Sequence, residues 1–146
     1  MQKSAVEKIV KLIELRFKDS GFCAKSMCSE IGVGMSTLHE FLSVRYGTTP
    51  HVLIETRRLT EALSLMKSNH STLGAIASGC GFSSMRTFRR VFKRRLGMSP
   101  REASEKLRGS SENGKYYRQS VRKLLKAAGI QIILVLHDLG KNNRKF

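Results

Sequence analysis

Acidic residues are scarce in this chain: 11 stand against 27 lysines and arginines in 146 residues, leaving a net charge of +16. Such an excess points to an anionic partner, most simply nucleic acid. Cysteine is scarce too. Cys23, Cys28 and Cys80 cannot pair completely, and none lies in a CxxC. That excludes a disulfide scaffold and makes reduced thiols in a cytoplasmic protein the simplest reading. Each cysteine sits where a small buried residue would fit a helix. Cys23, Cys28 and His39 lack metal-ligand spacing, so neither a metal nor a cofactor is expected. Long apolar runs are missing. Ile132 to Leu136 is far too short to cross a bilayer, and Lys3, Glu7, Lys8 and Lys11 interrupt the pattern a signal peptide would need. No membrane partner is expected. There is no glycine-rich phosphate loop, and His137-Asp138 has no second cluster of acids, bases or metal ligands with it, so no enzyme is expected.

What the chain does have is concentrated between Ser71 and Pro100, STLGAIASGCGFSSMRTFRRVFKRRLGMSP. The spacing predicts a short helix near Thr72 to Ser78, with Leu73, Ile76 and Ala77 inward. A second helix follows, with Phe88, Val91 and Phe92 at i, i+3 and i+4 on one face. Arg86, Arg89, Arg90 and Lys93 fall on the opposite side. Ala77, Gly79 and Gly81 let two backbones approach at the corner, and Gly81 can take positive φ at no steric cost. Ser83 is the expected N-cap of the second helix. This is the helix-turn-helix plan, whose second helix enters the DNA major groove.

The rest of the chain reads around that unit. Residues 4 to 18 form an amphipathic helix, opened by a Ser4/Glu7 capping box and buried along Val6, Ile9, Val10, Ile13 and Phe17. Residues 22 to 47 read as a first helix-turn-helix. Its first helix runs Ala24 to Ile31, its turn is Gly32-Val33-Gly34, and its second helix runs Met35 to Tyr46. Leu38, Phe41 and Leu42 are on the core face there, so Ser36, His39, Glu40 and Ser43 point outward. Residues 50 to 68 form a connecting helix opened by Pro50, with a buried seam of Val52, Thr56, Leu59, Leu63 and Met66. An internal repeat supports the division. Leu38, Phe41, Leu42, Arg45, Gly47 and Pro50 recur fifty residues later as Phe88, Val91, Phe92, Arg95, Gly97 and Pro100. Before the recognition helices the offset is forty-nine, Met27 and Gly32 answering Ile76 and Gly81, so the second turn carries one extra residue.

The expected architecture is therefore all-α: two helix-turn-helix subdomains joined by a long connecting helix, plus an extra C-terminal amphipathic tail. Residues 1–49 hold the N-terminal helix and first unit, 50–69 the connector, 70–108 the second unit, and 109–146 the linker and tail. Gly109 to Gly114 is a polar linker. Residues 115 to 139 carry helical periodicity in Tyr117, Val121, Leu124, Leu125, Ala128, Ile132, Val135, Leu136 and Leu139, although Ile130 to Leu136 could instead be a strand. Such a stripe requires cover. Either it caps the second unit or it docks a partner protein.

Ile76-Ala77, Gly81-Phe82-Ser83, Phe88, Val91-Phe92-Lys93 and Gly97-Met98-Ser99-Pro100 resemble the signature of the AraC/XylS family of bacterial transcription regulators. Arg58-Leu59, Ala62 and Leu65-Met66 are similar to the family's connector. The resemblance covers about residues 1 to 107. It implies a sequence-specific double-stranded DNA-binding regulator acting as an activator through RNA polymerase on an asymmetric site. The chain then reads as a minimal MarA/SoxS-type regulator or as part of a longer one, with the tail as a dock for a protein co-activator. The implied location is the bacterial cytoplasm, at the nucleoid. By the family's docking, Ser84, Met85, Arg86, Arg89 and Arg90 face base edges, with Lys93 and Arg94 at phosphates, and Thr87 belongs to the same DNA-binding face.

Arginine can bind guanine through O6 and N7, a contact worth ~1–3 kcal/mol of discrimination. In the first unit Ser36, Thr37 and His39 could donate to bases. Glu40 could accept from a cytosine amino group, pair with Arg45, or mark a loosely bound half. Glu40 corresponds to Arg90 in the repeat and Ser43 to Lys93, so the first face is much less cationic. The alternative reading is a non-specific basic protein for DNA packing or RNA binding. It would bind unrelated duplexes equally with a steep salt slope, and it gives no reason for the charge asymmetry between the two units.

Overall fold

The computed structural model describes residues 3–68, 71–108 and 113–128. Among the described residues there are eight helices and no strand: α1 Lys3–Arg16, α2 Ala24–Ile31, α3 Met35–Tyr46, α4 Pro50–Ser68, α5 Leu73–Gly79, α6 Met85–Leu96, α7 Pro100–Arg108 and α8 Asn113–Ala128.

The apolar periodicity of α1 lands as expected, with Val6, Ile9, Val10, Ile13 and Phe17 all buried. They form one core with Phe22, Met27, Leu38, Phe41, Leu42, Leu53 and Ile54. A second core gathers Leu59, Ala62, Leu63 and Met66 with Ile76, Phe82, Phe88, Val91, Phe92, Leu96, Ala103, Leu107 and Leu124. Helix α4 contributes to both. Its first turns close the first core, its last turns close the second, and the polar run Glu55-Thr56-Arg57-Arg58 lies between. Serving two cores gives α4 a wider buried face than a single seam. Leu53, Ile54 and Ala62 are buried beside Leu59 and Leu63, while Val52 is only half-buried.

The repeat extends further than its side-chain pattern. Gly47 and Gly97 both end their helices at positive φ, 63° and 78°. Thr49 and Ser99 then each accept an amide hydrogen bond three residues on, from Val52 at 3.2 Å and Glu102 at 3.1 Å. Pro50 and Pro100 open the next helix, where no amide donor is missed. Eight residues later an arginine reaches back to the backbone just ahead of the unit's first helix. Arg58 donates to the Phe22 carbonyl at 3.0 Å, and Arg108 to the Ser71 carbonyl at 3.3 Å. Each unit thus has three helices, the third begun by proline. Helix α7 is the second unit's copy of the start of α4.

Several expectations need correction. The N-cap of α6 is Ser84, not Ser83: its hydroxyl accepts from the Thr87 amide at 3.1 Å. Cys28 and Cys80 are buried, but Cys23 is exposed, because it precedes α2 instead of lying within it. Gly114 belongs to α8, so the linker is shorter than residues 109–114. Helix α8 folds back on the chain. Leu124 is buried, and Tyr116, Tyr117 and Val121 pack on the second core, with Lys67 of α4 4.5 Å above the Tyr117 ring. The first half of the tail's apolar stripe is therefore covered internally. The continuation of the stripe, the strand alternative at 130–136 and His137-Asp138 lie outside the described residues, as does the side chain of Ser4. No helix among the described residues is long and apolar enough to cross a membrane.

Candidate nucleic-acid interface

Helix α6 is anchored by its aromatic edge. Phe88 and Phe92 are fully buried, their centroids 5.5 Å apart and edge-to-face, and Phe82 lies 5.0 Å from Phe88. Aromatic pairs in this geometry add about 0.5–1.5 kcal/mol to their burial. At one end Ser84 caps the helix and also hydrogen-bonds the Thr87 hydroxyl at 3.0 Å. At the other, the Gly97 amide returns to the Lys93 carbonyl at 2.9 Å.

A helix held this way presents a fixed outer face. Arg86, Arg89, Arg90 and Lys93 are exposed on it and form no ion pair among the described residues. Met85 is half-buried against the second core, and Thr87 is half-buried with its hydroxyl engaged by Ser84. Arg94 is placed differently. Its terminal nitrogen meets both carboxylate oxygens of Glu55, at 2.8 and 2.9 Å, and Arg95 Nε reaches Glu55 Oε2 at 2.9 Å. Two of the six cations of this helix are therefore turned to α4.

On α3, Ser36, Thr37, His39, Glu40 and Ser43 are all exposed. Ser43 donates to the Glu40 carbonyl at 3.4 Å. Arg45 does not pair with Glu40; its guanidinium lies 5.7 Å from the Phe41 ring centroid. Glu40 has no ion pair among the described residues. Val44, 78% exposed, adds an apolar contact surface to this face. The repeat could have located it, since Val44 answers Arg94.

The two units are held together by a cluster on α4 that composition and periodicity do not reveal. Arg58 Nε donates to the Phe17 carbonyl at 2.9 Å, and its terminal nitrogen to the Asp19 and Phe22 carbonyls at 2.9 and 3.0 Å. This closes the end of α1. Gly81, in the second unit's turn at φ +96°, lies against the same spot: a Cβ there would stand 2.1 Å from the Phe17 carbonyl oxygen and 2.8 Å from Arg58 Nε. Arg57 donates to Glu14 at 2.6 Å and Glu61 at 3.0 Å and stacks 4.2 Å above the Phe17 ring. Glu55 is almost wholly buried. Burial alone would raise its pKa, but the hydrogen bonds from Arg95 and Arg94 outweigh it and hold the carboxyl below its ordinary value. His51 Nε2 also meets Glu55 Oε1.

Two pairs of helices around positive-φ glycines, each offering an exposed second helix, define a tandem helix-turn-helix DNA-binding module. A sequence model of the helix-turn-helix domain family matches residues 27–106. The chain belongs to the AraC-type helix-turn-helix family of transcription regulators. It is 30% identical over 97 residues to the virulence regulon transcriptional activator VirF of Yersinia enterocolitica, covering 66% of this chain and 35% of that protein. It is 34% identical over 71 residues to the HTH-type transcriptional regulator ExsA of Pseudomonas aeruginosa, covering 49% and 26%. The chain thus spans about a quarter to a third of the length of these relatives. The C-terminal domain of AraT, a response regulator from Geobacillus stearothermophilus, superposes with a TM-score of 0.67 over 74% of this chain and 88% of that one, at 23% identity. That likeness establishes the shared fold.

Proposed function

We propose that this chain is the DNA-reading part of a transcription activator. Helices α3 and α6 enter successive major-groove segments on one face of a promoter, roughly 34 Å apart along the duplex. Arg86, Arg89 and Arg90 read base edges, with guanine the preferred partner, and Lys93 meets phosphate. Ser84, Met85 and Thr87 shape the leading end of α6. On α3, Ser36, Thr37 and His39 donate to bases, Glu40 accepts from a cytosine amino group, and Ser43 and Val44 line the groove wall. RNA polymerase is the protein partner through which activation proceeds, in the cytoplasm.

One observation carries this reading. The free cations of α6 are mounted on a buried aromatic edge, in a unit whose repeat presents a differently charged face on the same frame. A charge-only binder needs neither the frame nor the difference. The test is selection of bound duplexes from a random library, followed by competition against random DNA. The expected result is an asymmetric site with two half-sites about one helical turn apart, guanine-rich on the α6 side. Equal affinity for selected and random duplexes would overturn the proposal in favour of non-specific binding.

A further inference from the structure

We infer that Glu55 is a specificity-determining positioning residue: it holds Arg94 and Arg95 against the connecting helix, and so keeps them from adding sequence-independent phosphate affinity. This rests on the reading that α6 enters the major groove.

The geometry carries the argument. Glu55 is 4% exposed, and two guanidinium groups converge on it at 2.8 to 2.9 Å. It lies on the part of α4 between the two cores, next to Leu53 and Ile54 of the first, while Arg94 and Arg95 form the last turn of α6 in the second. The contact therefore crosses between units. The repeat has no equivalent. Val44 and Arg45 stand at the positions of Arg94 and Arg95, and Arg45 lies over Phe41. Glu105, the counterpart of Glu55, is 72% exposed, and among the described residues its ion pair is with Arg101 at 3.7 Å.

Two effects follow. One buried carboxylate shared by two guanidiniums offsets part of the charge of each where a phosphate would feel it, and pulling Arg94 away would strip Glu55 of two hydrogen bonds, leaving Arg95 and His51 on it. Sequence-independent affinity comes from uncancelled cations at phosphates. The same contact also fixes the end of α6 relative to the helix that closes the first core. That sets the angle at which the second recognition helix meets the groove relative to the first.

The test uses the full chain and a duplex selected from a random library. Binding is measured between about 50 and 200 mM salt on that duplex, on the same duplex with one base pair inserted between half-sites, and on a random duplex. Glu55→Gln keeps the shape and removes the charge. It is expected to steepen the salt slope by about 0.9, the value of one new phosphate contact, made by Arg94, the more exposed of the two, and to raise affinity for the random duplex. The preference for the selected over the random duplex should fall by roughly the worth of one base contact, about tenfold, and the inserted base pair should be better tolerated. Arg94 is half-exposed, so Arg94→Gln tests the idea without emptying a core. It should leave the slope as it was while lowering the preference, and in the Glu55→Gln background it should restore the slope. An Arg94→Gln slope shallower by about 0.9 in the otherwise unchanged chain would show that Arg94 already binds phosphate, and the inference fails. It also fails if Glu55→Gln lowers only the melting temperature, with slope and preference intact. If the unchanged chain shows no preference for its selected duplex, the DNA-reading proposal itself falls. A preference with contrary Glu55 and Arg94 results sinks this inference alone.

Discussion

Gly32 and Gly81 are matched by the repeat, and substituting each with alanine separates backbone strain from contact between the units. Both have positive φ, +81° and +96°. Forcing a Cβ into that region costs about 1–2 kcal/mol. At Gly32 nothing lies within 4 Å of the added atom, so that strain is the whole cost. At Gly81 the Cβ would stand 2.1 Å from the Phe17 carbonyl oxygen. Relief requires about an ångström of movement, which breaks the hydrogen bond from Arg58 to that oxygen. A hydrogen bond to a charged group contributes about 1.5–3 kcal/mol. Gly81→Ala should therefore cost about 3–5 kcal/mol against about 1–2 for Gly32→Ala. In a domain of this size that is a melting-temperature loss of roughly 10–20 °C against about 4–8 °C. Urea titration followed by circular dichroism gives the two free energies. Equal costs at the two sites would show that the second turn does not bear on the end of α1, and the rigid frame connecting the units would be refuted.

Four further outcomes follow from the same geometry. Leu124→Ala removes the buried anchor of α8 and should cost about 2–5 kcal/mol in thermal unfolding, so deleting residues 113–146 should destabilise the second unit instead of leaving it intact. Ser84→Ala removes the cap of α6 and should cost about 1 kcal/mol, with binding affinity falling in step with helix order. Lys93→Gln should weaken binding to all sequences alike and reduce the salt slope by about 0.9, whereas Arg89→Gln should relax preference at one position by about 1–3 kcal/mol. The cysteines should differ in alkylation. The Ser26 side chain and backbone hydrogen-bond Cys23 and hold its pKa below the ordinary 9.0. Because the thiolate forms as pH rises through the pKa, its alkylation should become half-maximal below that pH. Cys80, pushed up to about 12 by burial, should stay unreactive until the protein unfolds. Equal alkylation profiles for the two in the folded protein would contradict this placement.

Much of the frame was legible because it rests on local rules. Helices α2, α3 and α4 start and stop where their glycines, proline and apolar spacing put them, and Phe88, Val91 and Phe92 face inward as their interval requires. Local rules do not separate the two candidate caps of α6, because Ser83 and Ser84 are adjacent and chemically alike. Only the hydroxyl in reach of the Thr87 amide decides between them. Helix α7 hid behind the familiar Gly-Met-Ser-Pro turn, although Pro100 answering Pro50 already announced it.

Sequence by itself determined that this chain folds as two copies of one helical unit, since period, capping and left-handed glycines act within a few residues of one another. It also determined that the outer face of α6 is cationic, because a helix with one aromatic edge leaves its other residues to solvent. Tertiary structure decided that Arg94 leaves the free row. The helical interval already sets Arg95 on the side of Phe88, Val91 and Phe92, but Arg94 looks like its outward neighbours in sequence until Glu55, some forty residues away, draws it aside. Arg58 and Gly81 meet at the end of α1 for the same reason: an ion pair or a close backbone approach depends on distances through space, which neighbouring residues do not encode.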